Sequence, residues 1–138
     1  MADRMPVVAV INTSPDTVEL LRILFEQCGY LVVTGLTYDI RDGRLNFEAF
    51  LHQHKPDVIV YDIAPPYDRN WAFFSHLKAS DGMRDIPVVL TSTNVRSVKS
   101  LVSGAPEMYE IVGKPYDLNE IVQAVREVMG EENVERRT

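Results

Sequence analysis

The 138-residue sequence is poor in the features that mark secreted and membrane proteins. Its one cysteine, Cys28, cannot form a disulfide within the chain. The longest fully apolar run, Val7–Ile11, is far shorter than the ~20 residues of a membrane-spanning helix. The N-terminus has no long apolar stretch behind a basic head, so no secretory signal is expected. These absences favour a reducing compartment, and we expect a cytoplasmic protein without a membrane partner.

Positive charge is also scarce. The chain has 14 lysines and arginines against 20 acidic residues, a net charge of −6 and an isoelectric point near 5.0. The basic residues form no cluster beyond Arg136-Arg137, so a nucleic-acid partner is not expected. Hydrophobic residues make up 46% and charged residues 25%, which is ordinary for one globular domain.

Strand and helix patterns alternate five times between residues 6 and 129, which we interpret as one domain. Residues 130–138 read as a polar C-terminal tail. Because the strands are short apolar runs with short connections, we expect an α/β fold with a parallel sheet covered by helices on both faces. The predicted strands are Val7–Ile11, Tyr30–Thr34, Asp57–Tyr61, Ile86–Leu90 and Met108–Val112. The predicted helices are Ser14–Cys28, Leu45–His54, Trp71–Ala79, Asn94–Ser103 and a last helix from Asp117.

Polar residues follow three of the predicted strands. Asp62 comes after the third strand, Ser92 after the fourth and Lys114 after the fifth. The carboxyl ends of parallel strands meet at one edge of a sheet, so these side chains are expected to converge. A carboxylate nucleophile, a hydroxyl donor and an ammonium counter-charge together suit a phosphoryl group.

Over about Pro6–Met129 the chain resembles the receiver domain of two-component response regulators. Ser92 follows Asp62 by 30 residues and Lys114 follows Ser92 by 22, as is usual in that family. The resemblance implies a flavodoxin-like (CheY-like), doubly wound sheet of five strands. It implies Asp62 as phosphoacceptor, Lys114 as its ion partner, and Ser92 rather than Thr91 as the switch hydroxyl. The motifs are Val58–Asp62 with Pro66, Ile86–Ser92, and Gly113–Tyr116, where a cis Lys114-Pro115 bond is also implied.

The sequence departs from the family where receivers carry a pair of acidic residues, because Asn12 and Thr13 stand at those positions. Mg²⁺ binds through carboxylates and phosphate oxygens, so Mg²⁺ binding is predicted to be weak or absent. The only candidate ligands that remain are the Asp62 carboxylate and the Ala64 backbone, with Asp68 as a remote substitute. Three further departures are Ile111 in place of an aromatic residue, the bulky Thr93 beside Ser92, and a long loop after the second strand.

These features predict a stand-alone receiver domain, not an enzyme, that accepts a phosphoryl group at Asp62 weakly or atypically. The donor would be a histidine kinase or phosphotransferase. The output would pass to a protein partner or a homodimer through the fourth helix, fifth strand and fifth helix. The alternative is a pseudo-receiver, a phosphorylation-independent interaction module in which Asp62 and Lys114 form a permanent ion pair. A flavin- or small-molecule-binding enzyme is a third alternative, although Asn12–Thr17 lacks the glycines of a phosphate loop.

Overall fold

The structure is a computed structural model and describes residues 5–102, 109–113 and 118–130. Strands and helices alternate through this part of the chain, as the sequence predicts. The strands are β1 Val7–Asn12, β2 Leu31–Leu36, β3 Val58–Asp62, β4 Val88–Ser92 and β5 Tyr109–Gly113. The helices are α1 Pro15–Gln27, α2 Thr37–Arg41, α3 Phe47–His54, α4 Tyr67–Lys78, α5 Val95–Leu101 and α6 Leu118–Val128.

In the described residues the five strands form one parallel sheet in the order β2-β1-β3-β4-β5. This confirms the predicted doubly wound fold. The order reverses between β1 and β3, and a crevice at the carboxyl ends of these strands is the usual ligand position in such folds. Asn12 and Asp62 end these two strands, so the fold brings them to that edge.

The sheet is buried on both faces, which explains its continuous apolar strands. Successive residues of β1 point to opposite faces: Val8 and Val10 join one core cluster, whereas Ala9 and Ile11 join the other. The first cluster contains side chains of α1 and α6, and the second contains side chains of α3, α4 and α5. Both clusters fix the register of the strands, because a one-residue slip would exchange the two faces.

The first helix has its predicted bounds to within one residue, because Ser14 and Cys28 are its two cap residues. The Ser14 side chain accepts a hydrogen bond from the Thr17 backbone N–H at 3.2 Å, and Pro15 is the first helical residue. Gly29 has a φ of +95°, a left-handed conformation that favours glycine after a helix end.

The predicted loop after the second strand is wrong in part, because β2 continues to Leu36 and a short helix, α2, follows it. The extension pairs with the end of β1, Gly35 opposite Ile11. Leu45 packs closely against Gly35, because a Cβ atom added to Gly35 would lie only 2.9 Å from the Cδ2 atom of Leu45. Packing of Leu45 therefore helps to order the end of β2, where a loop was predicted.

The helix predicted from Trp71 begins four residues earlier, at Tyr67. Pro66 is its N-cap residue, and the Asn70 backbone N–H donates to the Pro66 carbonyl at 3.0 Å. The polar stretch before Trp71 is therefore the first turn of α4. Three predicted element ends lie outside the described ranges: Ser103 as the end of a helix, Met108 as the start of a strand and Asp117 as the start of the last helix. The predicted cis Lys114-Pro115 bond lies outside them as well. Of the tail, only residue 130 is described.

Lys78 at the end of α4 closes the turn that leads into β4. Its ammonium group donates to the carbonyls of Met83 and Arg84 at 3.0 Å and of Ile86 at 2.7 Å. Burial lowers the pKa of Lys78, since desolvation disfavours the charged form. One side chain thus holds three carbonyls that the turn leaves outside the sheet.

Within the part of the chain that the structure describes, none of the helices combines the length and apolarity needed to cross a bilayer.

We predict that Lys78→Met lowers the free energy of unfolding by about 1–2 kcal/mol, because three carbonyls lose a charged donor. Urea denaturation measures the loss. The matched control is Lys99→Met, which removes an exposed lysine from α5. If the two variants unfold at the same urea concentration, the three hydrogen bonds do not stabilise the turn.

Candidate functional site

The candidate site lies at the carboxyl edge of the sheet, where β1, β3 and β4 end side by side. Asn12, Asp62 and Ser92 are the last residues of these strands. Asp62 pairs with Thr91 across the β3–β4 ladder. The fold therefore brings two of the three residues of the predicted trio to one edge. Lys114 and Pro115 lie outside the described residues, so the predicted ion pair with Asp62 stays a prediction.

Asp62 is a buried carboxylate, with only 3% of its surface exposed. Its Oδ1 atom accepts a hydrogen bond from the Thr91 hydroxyl at 2.6 Å, and Thr91 is itself fully buried. A hydroxyl donor at this distance fixes the orientation of the carboxylate. The hydroxyl partner of Asp62 is therefore Thr91 on the neighbouring strand, and not Ser92, the residue that the receiver resemblance implies.

The Ser92 hydroxyl has other partners. Its Oγ atom donates to the Ile63 carbonyl at 3.0 Å and accepts from the Asn94 backbone N–H at 3.1 Å. Ser92 therefore links the end of β3 to the N-cap residue of α5. Its predicted role as support for a phosphoryl group stays a prediction.

The two positions that hold acids in receivers hold neutral side chains here. Asn12 is 1% exposed, and its Oδ1 atom accepts from the Ser14 backbone N–H at 3.0 Å. This bond shapes the turn from β1 into α1. Thr13 is half-buried and carries no charge at neutral pH.

The Ala64 carbonyl, the backbone candidate for a metal ligand, accepts a hydrogen bond from the Asn70 side chain. The distance from Asn70 Nδ2 to the Ala64 oxygen is 2.6 Å. Asn70 Oδ1 in turn accepts from the Arg41 guanidinium at 2.5 Å. Arg41 comes from α2, so the unpredicted helix reaches the loop that follows Asp62.

These residues do not fit Mg²⁺, the cation that the receiver resemblance implies. Mg²⁺ demands near-octahedral oxygen coordination and takes carboxylates as its protein ligands. Asp62 offers the only carboxylate among the predicted site residues, because the neutral Asn12 and Thr13 stand where receivers carry acids. Across the described ranges, no three histidine, cysteine, aspartate or glutamate side chains are grouped to hold a metal. The exposed Asp68 carboxylate accepts from the Arg69 backbone N–H at 2.8 Å, in the first turn of α4.

A hydrogen bond between two hydroxyl groups also bridges the edge of the site. The Tyr67 and Thr93 hydroxyls lie 2.5 Å apart and join the start of α4 to the loop after β4. Sequence reasoning identified Thr93 as unusually bulky but did not identify Asn70 or Arg41 as parts of the site. The signal for Arg41 was the long loop after the second strand.

Tyr61 lies directly before Asp62 and has no hydrogen-bond partner for its hydroxyl in the described part of the chain. The ring is 1% exposed and packs 4.8 Å from the ring of Phe74. Burial raises the pKa of Tyr61 far above its usual range; the Arg41 charge opposes this shift and the Asp62 charge adds to it.

No protein-family model matches the chain. The chain is 28% identical over 125 residues to the phosphate regulon transcriptional regulatory protein PhoB of Escherichia coli (strain K12), a match that covers 88% of this chain and 51% of PhoB. It is 26% identical over 128 residues to the DNA-binding dual master transcriptional regulator RpaA of Synechocystis sp., with 91% of this chain and 49% of RpaA covered. The chain thus spans about half the length of the curated relatives it matches.

Solved structures of receiver proteins have the same fold. The chemotaxis response regulator CheY4 of Vibrio cholerae superposes with a TM-score of 0.70 at 18% identity, covering 91% of this chain and 99% of CheY4. A putative response regulator from Chloroflexus aurantiacus gives 0.71 at 15% identity, with coverages of 92% and 99%. A receiver-modulated diguanylate cyclase from Pelobacter carbinolicus gives 0.64 at 18% identity, covering 97% of this chain and 100% of the other. These likenesses confirm the CheY-like fold.

We predict that Tyr61→Phe raises the free energy of unfolding by about 1 kcal/mol at pH 7, because it removes a buried hydroxyl without a partner. Tyr67→Phe is the matched control and should lower stability slightly, because its hydroxyl contacts Thr93. Chemical denaturation of both variants measures the difference. Equal destabilisation by both substitutions would contradict an unpartnered Tyr61 hydroxyl.

The same variant tests the raised pKa of Tyr61. A raised folded-state pKa stabilises the fold below the unfolded value of about 10, and this contribution is lost as pH rises above it. The wild type should therefore lose up to about 1.4 kcal/mol more per pH unit above pH 10 than Tyr61→Phe. Urea midpoints between pH 9 and pH 11.5 measure the two slopes. Parallel slopes would mean that Tyr61 ionises in the folded state as readily as in the unfolded chain.

Proposed function

We propose that this chain, which has the fold of response-regulator receiver domains, acts in two-component signalling through protein contacts that do not require a phosphoryl group on Asp62. The observation that carries the proposal is the chemistry around that residue. Asp62 is buried and hydrogen-bonded to Thr91, and no second carboxylate stands at the Asn12 and Thr13 positions. The site is polar, but it is organised by hydrogen bonds between its own residues.

Phosphoryl transfer to a carboxylate needs two things that this arrangement does not favour. An Asp62 oxygen must reach the phosphorus atom, and the charge on the transferring oxygens must be neutralised. Thr91 holds the buried Asp62 carboxylate in place, and the neutral Asn12 and Thr13 bring no carboxylate that could hold a neutralising cation. Transfer to Asp62 should therefore be slow.

A second candidate function is slow phosphoacceptance at Asp62 from a histidine kinase or phosphotransferase. It is favoured by the position of Asp62 at the sheet edge and by its spacing to Ser92 and Lys114. In this case Lys114 would provide the counter-charge and the hydroxyl of Thr91 or Ser92 would donate to the phosphoryl oxygens.

In both cases we propose a cytoplasmic signalling domain without catalytic turnover of its own. PhoB and RpaA are transcriptional regulators by name. For this chain we propose a protein partner instead of nucleic acid, because its net charge of −6 opposes binding to phosphate backbones. The proposed contact surface is the one formed by α5, β5 and α6, either with a different protein or with a second copy.

We predict that wild-type protein incubated with a small acyl phosphate and Mg²⁺ gains little covalent phosphate by intact-mass measurement. Asn12→Asp combined with Thr13→Asp should raise the labelled fraction by about tenfold or more, because the restored carboxylates can hold the cation. Adding Asp62→Asn to that variant should abolish the gain and serves as the control.

Rapid labelling of wild-type Asp62 would overturn phosphorylation-independent action and favour the second candidate. If the acid-restored chain also resists labelling, the missing acids are not what limits transfer.

A further inference from the structure

We propose that Arg41 and Asn70 form a built-in barrier to a metal ion at the candidate site, in addition to the missing acids. The barrier is the Arg41 strap, defined as the Arg41 guanidinium, the Asn70 side chain and the Ala64 carbonyl. It makes Arg41 a positioning residue that acts on the site through Asn70. The inference deepens the proposed function by identifying residues that keep the site free of divalent cations.

The strap is a continuous chain of two short hydrogen bonds. Arg41 donates to Asn70 Oδ1 at 2.5 Å, and Asn70 Nδ2 donates to the Ala64 oxygen at 2.6 Å. Because the amide oxygen accepts from Arg41, its NH₂ group is directed at the carbonyl and cannot exchange places with the oxygen. Arg41 therefore fixes which end of the Asn70 amide meets Ala64.

Two elements hold the strap in place. The Arg41 guanidinium lies 4.8 Å from the centre of the Phe73 ring, and Phe73 follows Asn70 by three residues on the same face of α4. Arg41 is also the last residue of α2, where a positive charge interacts favourably with the helix dipole. The guanidinium is thus held by a ring, an amide and a helix end together.

The strap opposes a cation by electrostatic repulsion more than by occupying the Ala64 oxygen with a hydrogen bond. A carbonyl oxygen has two lone pairs, so one hydrogen bond does not by itself prevent coordination. However, Asn70 directs the positive end of its amide dipole at this oxygen, and the Arg41 charge lies one amide group further along the strap. A divalent ion at the Ala64 oxygen would meet repulsion from both.

The test uses the full chain with Asn12→Asp and Thr13→Asp, so that carboxylates are present and metal binding is measurable. Mn²⁺ alone is the probe, and electron paramagnetic resonance reports the free ion. Asn70→Ala and, separately, Arg41→Met are added to this background. Arg41→Met keeps an apolar side chain over Phe73 and guards against a folding defect in Asn70→Ala. Gln53→Ala, an exposed amide on α3, is the matched control.

We expect each strap variant to lower the Mn²⁺ dissociation constant by about three- to tenfold, because a repulsive charge or dipole is removed. Combined, the two substitutions should tighten binding by less than the product of their separate effects, because Arg41 acts through Asn70. Constants within about twofold of the acid-restored chain in both variants, or an equal change in Gln53→Ala, would overturn the proposal.

Metal binding and phosphoryl transfer are measured separately. Rapid labelling of wild-type Asp62 would refute the proposed function and leave the Mn²⁺ constants as the test of the strap. Unchanged Mn²⁺ constants would refute the strap and leave the labelling result standing.

Discussion

The structure depends on the parallel pairing of β3 with its neighbours on both sides. This strand is the centre of the sheet, and all five of its residues are buried. Its apolar residues belong to the cores on both faces, so its register cannot shift without exchanging the two clusters. That register places Asp62 opposite Thr91 on β4. It also pairs Tyr61 with Ile11 on β1, so the next residues, Asp62 and Asn12, end their strands side by side. The polar site is thus positioned by apolar packing.

Within this frame, the site is stabilised by hydrogen bonds where a receiver site is expected to concentrate negative charge. Thr91 donates to Asp62, Ser92 donates to the Ile63 carbonyl, and Asn12 accepts from the turn that follows it. Each of these groups is buried, so its hydrogen bond has little competition from water. A buried polar group that has a partner within the fold is costly to detach from it. These hydrogen bonds therefore fix the orientation of the polar side chains at this edge of the sheet.

The sequence was sufficient to predict the fold because the strand signals were strong and independent. Val7–Ile11 and Val58–Val60 are continuous apolar runs typical of strands buried on both faces, and the predicted helix Ser14–Cys28 differs from α1 by one residue at each end. The edge on which Asp62 and Ser92 meet followed from the same reasoning. Local patterns determine such features, so they need no knowledge of distant contacts.

The partners of the site residues could not be predicted in the same way. The spacing typical of receivers predicted Ser92 as the hydroxyl beside Asp62. Which side chain contacts Asp62 depends, however, on where each hydroxyl points at the end of β4. In the structure, the Thr91 hydroxyl makes this contact. Likewise, nothing local to Arg41 indicates Asn70 or Phe73, because those contacts join residues 29 and 32 positions apart through the packing of α2 on α4. Hydrogen-bond partners across elements depend on tertiary geometry.

The helix that sequence reasoning missed is the element that most distinguishes this site. The sequence predicted a polar loop at this position. Helix α2 instead ends with Arg41 at the first turn of α4, where Asn70 is also placed because the helix begins at Tyr67 and not at Trp71. Two small departures from the predicted elements therefore act on one carbonyl. This convergence on the Ala64 carbonyl is the geometric basis of the barrier to a metal ion proposed above.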